Sequence, residues 1–176
     1  MARFGFAPAR PEERIVYGAQ RPGYRSENVD LAHVGDWISF VQKSGVRRVC
    51  CLLPSKQLAY YRVDLLDTYR KAFGEPNVSH AGIEDYHLCD HGTLEDTILP
   101  FLVESDEAGT PVVVHCSGGL GRTGHIVAAW LVRRRGLSVD DALEIVSRER
   151  NPREAVECGY ATEKELRCLL GGKPGL

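Results

Sequence analysis

Two periods of apolar residues run along the chain. Leu31, Val34, Trp37, Ile38 and Val41 recur at three- and four-residue intervals, which predicts a helix stopped at Gly45. "VRRVCCLLP" (46–54), with apolar residues from Val49 to Leu53 and a proline to close it, predicts a buried strand. "YYRVDLLDTYRKAFG" (60–74) returns to the helical period and ends on a glycine. "RIVYGAQ" (14–20) predicts a short strand, and "VSHAGI" and "YHLC" predict one interrupted strand or two short ones. "DHG" reads as a turn, with Thr93 capping a helix from near Leu94 and Pro100 kinking or breaking it. "PVVVHC" is the clearest buried strand. Helices are predicted over 122–135, from the capping pair Ser138 and Asp141 through about Glu149, and over 160–170. Residues 1–12 hold Pro8, Pro11 and little pattern, and predict a loose arm.

Strands alternate with helices, without repeats or a linker. The expected architecture is a single α/β domain over 13–171, with a central, mostly parallel sheet and helices on both faces, followed by a Gly/Pro tail over 172–176. In such sheets ligands bind beyond the carboxyl ends of the strands.

Composition narrows the function. Hydrophobic residues make up 43% and charged residues 26%, and the net charge of −2 gives no electrostatic case for nucleic acid. No apolar run is long enough for a bilayer, so no membrane partner is expected, and "MARFGFAPARPEER" has no signal-peptide core. Six cysteines without a C-x-x-C pair fit reduced thiols in a cytoplasmic protein.

The chemistry concentrates in "PVVVHCSGGLGRTG", which carries two overlapping phosphate-binding patterns. Gly119, Gly121 and Gly124 spell the G-x-G-x-x-G of a dinucleotide fold, and Asp140 lies 21 residues beyond Gly119. That reading requires a second strand after the helix. Val139, Ala142, Leu143 and Val146 fall at helical intervals instead, and Arg122 stands where backbone must approach a ligand closely. The alternative uses the whole stretch. A six-residue loop between strand and helix turns backbone N–H groups of Ser117, Gly118, Gly119, Leu120 and Gly121 toward one point, and Gly118, Gly119 and Gly121 permit positive φ. The helix N-terminus aims at the same point, and Arg122 adds a planar fork for two oxygens. This field lowers the pKa of Cys116 from its usual value of about 8.5, so that the thiolate can attack phosphorus.

"HCSGGLGRTG" resembles the H-C-x-x-G-x-x-R-[S/T] signature of the cysteine-dependent protein tyrosine and dual-specificity phosphatases. The resemblance implies a dual-specificity-phosphatase-like fold. It implies Cys116 as nucleophile, Arg122 as phosphate clamp and Thr123 as an aid to thiolate departure. It also implies that His115 orients the loop and helps hold the thiol ionised. "LPSKQLAYYRVDLLDTYRKAFG" and "HLCDHGTLED" look loosely like the cyclin-dependent-kinase-associated phosphatase branch, so the likeness spans about residues 30–170. The family places an acid some 25–35 residues before the cysteine. Asp90, 26 residues before Cys116 on a glycine-bearing turn, is the first choice, followed by Asp96, then Glu95 and Asp85.

No metal or other cofactor is expected. His87, Cys89 and His91 alternate and would share a strand face, but no further ligand pair has metal-site spacing. His125 opens the helix after the loop, near the phosphate rim. Cys50 or Cys51 could trap oxidised Cys116 as a disulfide. None of residues 117–121 is basic, which points to a singly phosphorylated substrate, a phosphorylated protein first. A phosphoinositide, sugar phosphate or RNA 5′-phosphate is the alternative, as is a catalytically weak phospho-binding module.

Overall fold

The computed structural model describes residues 3–172. A 3-10 turn, Arg3–Gly5, leads into β1 (Ala7–Pro8) and β2 (Val16–Ala19). There follow α1 (Leu31–Lys43), β3 (Arg48–Cys51), α2 (Ser55–Leu58), α3 (Leu65–Phe73) and β4 (Val78–His80). A short α4 (His91–Thr93) passes through a π-helical turn, Leu94–Ile98, into α5 (Leu99–Glu107). The chain ends with β5 (Val112–His115), α6 (Gly121–Arg133), α7 (Val139–Val146), α8 (Glu154–Glu157) and α9 (Glu163–Gly171).

The sheet order is β1-β2-β5-β3-β4, parallel except for the β1–β2 pair. Alternation along the strands splits the apolar residues between two faces. Val16, Cys50, Val112 and Val114 join the cluster built with α5, α6, α7 and α9, whereas Ala19, Val49, Cys51 and Val113 face α1 and α3. The expected α/β layering is therefore present. β5 is central, and α6, buried from Gly121 to Leu131, runs back beneath it.

Several local expectations change. The arm packs instead of hanging loose: Phe6 stacks on Tyr17 at 4.9 Å, and β1 pairs with β2. α3 begins at Leu65, because Asp64 caps it by accepting from the Asp67 N–H, while Tyr61 bridges to Val29. "YHLC" forms no strand. Asp90, not Thr93, caps the helix that starts at His91. Pro100 does not break it, since the π turn, in which the Leu99 N–H donates to the Leu94 carbonyl, precedes the ring. α7 ends at Val146, short of Glu149, and Gly172 closes α9 with φ +75°. The tail beyond it lies outside the described residues.

Candidate active site

β5 delivers His115 between Ala19 of β2 and Cys51 of β3, and Cys116 opens the loop that α6 closes at Gly121. The glycines of this loop serve different ends. Gly119 alone has positive φ, +71°, and a Cβ there would lie 2.6 Å from the Ala19 carbonyl oxygen. Gly118 and Gly121 keep negative φ, contrary to the expected nest. They give room for close neighbours instead: Gly118 faces the Tyr24 hydroxyl, and a methyl on Gly121 would strike the Glu154 carboxylate.

Buried groups that the sequence did not single out hold the loop. The Arg21 amide donates to the Ser117 carbonyl at 3.0 Å, and its Nε donates to Ser117 Oγ at 3.1 Å. Arg150 Nη1 donates to the Gly119 carbonyl at 2.7 Å, and its Nη2 reaches the Ala7 carbonyl at 3.1 Å. Among the described residues neither arginine is paired with a carboxylate, so both bring uncompensated positive charge beneath the loop. Burial holds the Arg150 pKa below its usual value.

His115 is fully buried. Its Nδ1–H donates to the Cys116 carbonyl at 3.1 Å, which leaves Nε2 to accept from the Tyr69 hydroxyl at 3.1 Å. Burial pushes its pKa down to about 4. The ring is therefore neutral, held between the Cys116 carbonyl and the Tyr69 hydroxyl. Cys116 is 2% exposed at the base of a cleft lined also by Arg122, Asp85, Glu154, Tyr24 and Tyr86.

Arg122 is equally buried. Its Nη1 donates to Gln57 Oε1 at 2.8 Å and to the Ile83 carbonyl at 3.1 Å, and Nη2 pairs with Asp85 Oδ1 at 2.7 Å. Gln57 Nε2 also donates to Asp85, at 3.1 Å. Arg122 Nε and Thr123 Oγ1 are buried without a hydrogen-bond partner among the described residues. Asp85 precedes Tyr86, whose φ of +62° marks a tight, strained turn.

Asp90 does not line this cleft. Its carboxylate accepts from the Thr93 N–H at 2.8 Å and the Thr93 hydroxyl at 2.6 Å, and those bonds hold its pKa below the ordinary carboxylate value. Glu95 is engaged by Arg133 at 2.6 and 3.0 Å, and Asp96 is exposed on the π turn. Of the four acids singled out in the sequence, only Asp85 reaches the cleft.

The remaining candidates disperse. His125 lies in the core, with Nδ1–H donating to the Gly121 carbonyl at 3.2 Å and Nε2 accepting from the Cys89 N–H at 3.1 Å. It ties the loop after Asp85 to the start of α6. His87 packs on the Tyr160 ring, and no three potential metal ligands converge among the described residues. Burial raises the Cys50 thiol pKa and pushes that of Cys51 up to about 12. Cys51 sits in register with His115, one residue from Cys116.

The model of the family "Dual specificity phosphatase, catalytic domain" matches residues 94–161. The tyrosine-protein phosphatase cdc-14 of Caenorhabditis elegans is 30% identical over 97 residues, covering 51% of this chain and 14% of that protein. Dual specificity protein phosphatase 1 of Mus musculus is 32% identical over 69 residues, covering 39% and 19%. The chain thus spans a small part of the length of these curated relatives. Among solved structures, Tk-PTP in the active form is 28% identical with a TM-score of 0.65, over 88% of this chain and 92% of that one. Kinase associated phosphatase (KAP) shares the fold at 22% identity and TM-score 0.69, over 88% and 83%. PTPMT1 in complex with PI(5)P shares it at 15% identity and TM-score 0.67, over 95% and 92%. The signature loop, the sheet that carries it and these likenesses converge on the cysteine-based protein tyrosine and dual-specificity phosphatase superfamily as what this chain is similar to.

Proposed function

We propose that this chain hydrolyses phosphomonoesters through a phosphocysteine intermediate on Cys116. The observation that carries the reading is one cleft in which Cys116, the loop amides at the start of α6, the buried Arg122 and Asp85 meet. The phosphate oxygens occupy the loop amides and the Arg122 fork. Cys116 Sγ, as thiolate, forms a bond to phosphorus while the ester P–O bond breaks, and Asp85 gives its proton to the leaving oxygen. Water then attacks phosphorus and returns a proton to Asp85. The S–P bond breaks, inorganic phosphate leaves and the thiolate is restored. Thr123, whose hydroxyl has no other partner, donates to the departing sulfur.

Asp85 replaces Asp90 as the acid in this reading, because it lines the cleft and Asp90 is bound to its own helix. It lies 31 residues before Cys116, within the window the family uses. The substrate is a singly phosphorylated protein side chain, since none of residues 117–121 is basic. A phosphoinositide or other non-protein phosphate is the second reading. PTPMT1, solved with PI(5)P, has the same fold, but the single arginine in this cleft argues against several phosphates. A reducing, cytoplasmic compartment suits a reaction that runs on a free thiolate.

The test is a rapid-quench reaction with a radiolabelled aryl phosphate, followed by peptide mapping. Label captured on Cys116 and released as phosphate is expected, and Cys116→Ser should bind phosphate without turnover. Steady turnover with no label on Cys116, or turnover by Cys116→Ser, would overturn the reading.

A further inference from the structure

Glu154 has no role in the scheme above, yet its half-buried carboxylate lines the same cleft as Cys116 and Arg122. It packs so closely on Gly121 that no side chain fits between them. Among the described residues no lysine, arginine or histidine pairs with it. Arg153 is taken by Glu163 and Arg122 by Asp85. A carboxylate left unpaired beside an anion site opposes a phosphate dianion, and burial and the nearby charge of Asp85 raise its pKa.

Aromatic side chains and one leucine gather around it. Four of the five exposed large hydrophobic side chains among the described residues are found here. Tyr24, Tyr86 and Leu120 line the cleft, and Tyr160 stacks on Tyr86 with its ring 6.5 Å away. Aromatic faces accept the stems and heads of lysine and arginine, and they lower the local dielectric, which strengthens a charge contact.

We propose that Glu154 selects substrates by charge. It favours a phosphoresidue flanked by lysine or arginine and disfavours one flanked by a second anionic group. The inference rests on the phosphatase reading above and adds a specificity-determining residue to it.

The experiment uses two synthetic phosphotyrosine peptides, identical except for lysine or glutamate on both sides of the phosphoresidue. Para-nitrophenyl phosphate, which has no flanking charge, is the third substrate. A close charge contact at a half-open rim predicts kcat/KM roughly tenfold higher for the lysine peptide. Glu154→Gln should bring the ratio near one, and Glu154→Lys should reverse it. Melting curves establish that each variant is folded. Should either fail to fold, the wild-type ratio measured from low to high salt replaces it and should fall toward one. Equal rates on the two peptides, a preference for glutamate, turnover of para-nitrophenyl phosphate alone, or a ratio unmoved by Glu154→Gln or by salt would overturn the inference while leaving the phosphatase reading intact. Failure on all three substrates would instead sink that reading.

Discussion

Arg122 and Asp85 are bound to one another, Nη2 to Oδ1 at 2.7 Å, with the arginine side chain 2% exposed and the aspartate 43%. Gln57 touches both, accepting from the arginine and donating to the aspartate. A phosphate that takes the Arg122 fork must displace the Asp85 carboxylate from it.

The two aspartates should therefore separate cleanly. Asp85→Asn is expected to slow hydrolysis of alkyl phosphates by about 100-fold, and to slow para-nitrophenyl phosphate far less, since an activated leaving group needs little proton assistance. Asp90→Ala should leave that leaving-group dependence as in the wild type. It should lower unfolding stability in urea by about 1 kcal/mol through loss of the helix cap. Reversed phenotypes would return the acid to Asp90.

Gly121→Ala reverses the usual effect of that exchange. In an open helix alanine stabilises by up to about 1 kcal/mol over glycine, but here the new methyl meets the Glu154 carboxylate. We expect a loss of about 1–3 kcal/mol, typical of forced overpacking. The double variant Gly121→Ala/Glu154→Ala should recover most of it. Additive losses in denaturant melts would show that the clash lies elsewhere.

Arg150→Met should weaken both the fold and the phosphate site. It leaves the buried Gly119 and Ala7 carbonyls without their donor, at a cost of about 1–3 kcal/mol per orphaned group. Inhibition by inorganic phosphate should weaken in parallel, because the loop loses both a brace and a nearby charge. Arg150→Lys should rescue little, since one ammonium does not reproduce a fork aimed at carbonyls of two segments. Unchanged phosphate inhibition would contradict this.

The buried imidazoles set an acid limit. His115 and His125 have pKa values pushed down to about 4 by burial, whereas an imidazole in the unfolded chain titrates near 6.5. Between those values the unfolded chain holds protons that the folded chain does not. Stability is therefore full above about pH 6.5 and falls as pH drops toward 4, by up to roughly 3 kcal/mol per ring. Thermal melts from pH 7 to 5 should show a shallower decline for His125→Gln than for the wild type. An identical decline would remove His125 from the account.

The layering, β5 and the cysteine loop were legible because their signals are local: a β-branched run, then glycines and an arginine at fixed spacing. The acid was not. Asp90 has the better turn sequence, and that same quality makes it a helix cap with its oxygens already used. Asp85 carries no local mark; its place depends on the turn at Tyr86 and on Gln57 from α2. Arg21 and Arg150 were hidden for a similar reason. Each lies far from the loop in sequence, and each acts on backbone carbonyls, which leave no residue pattern to read. In sequence the three glycines look like a single device, whereas packing against Ala19, Tyr24 and Glu154 sets each one separately.

β1 and the loop that follows β5 share one guanidinium, since Arg150 grips Gly119 with one nitrogen and Ala7 with the other. A displacement of β1 is thereby passed to the Gly119 backbone, three residues beyond Cys116. Fusions or cleavage ahead of β1 would act as a tuning peg for catalysis from a place that no motif marks.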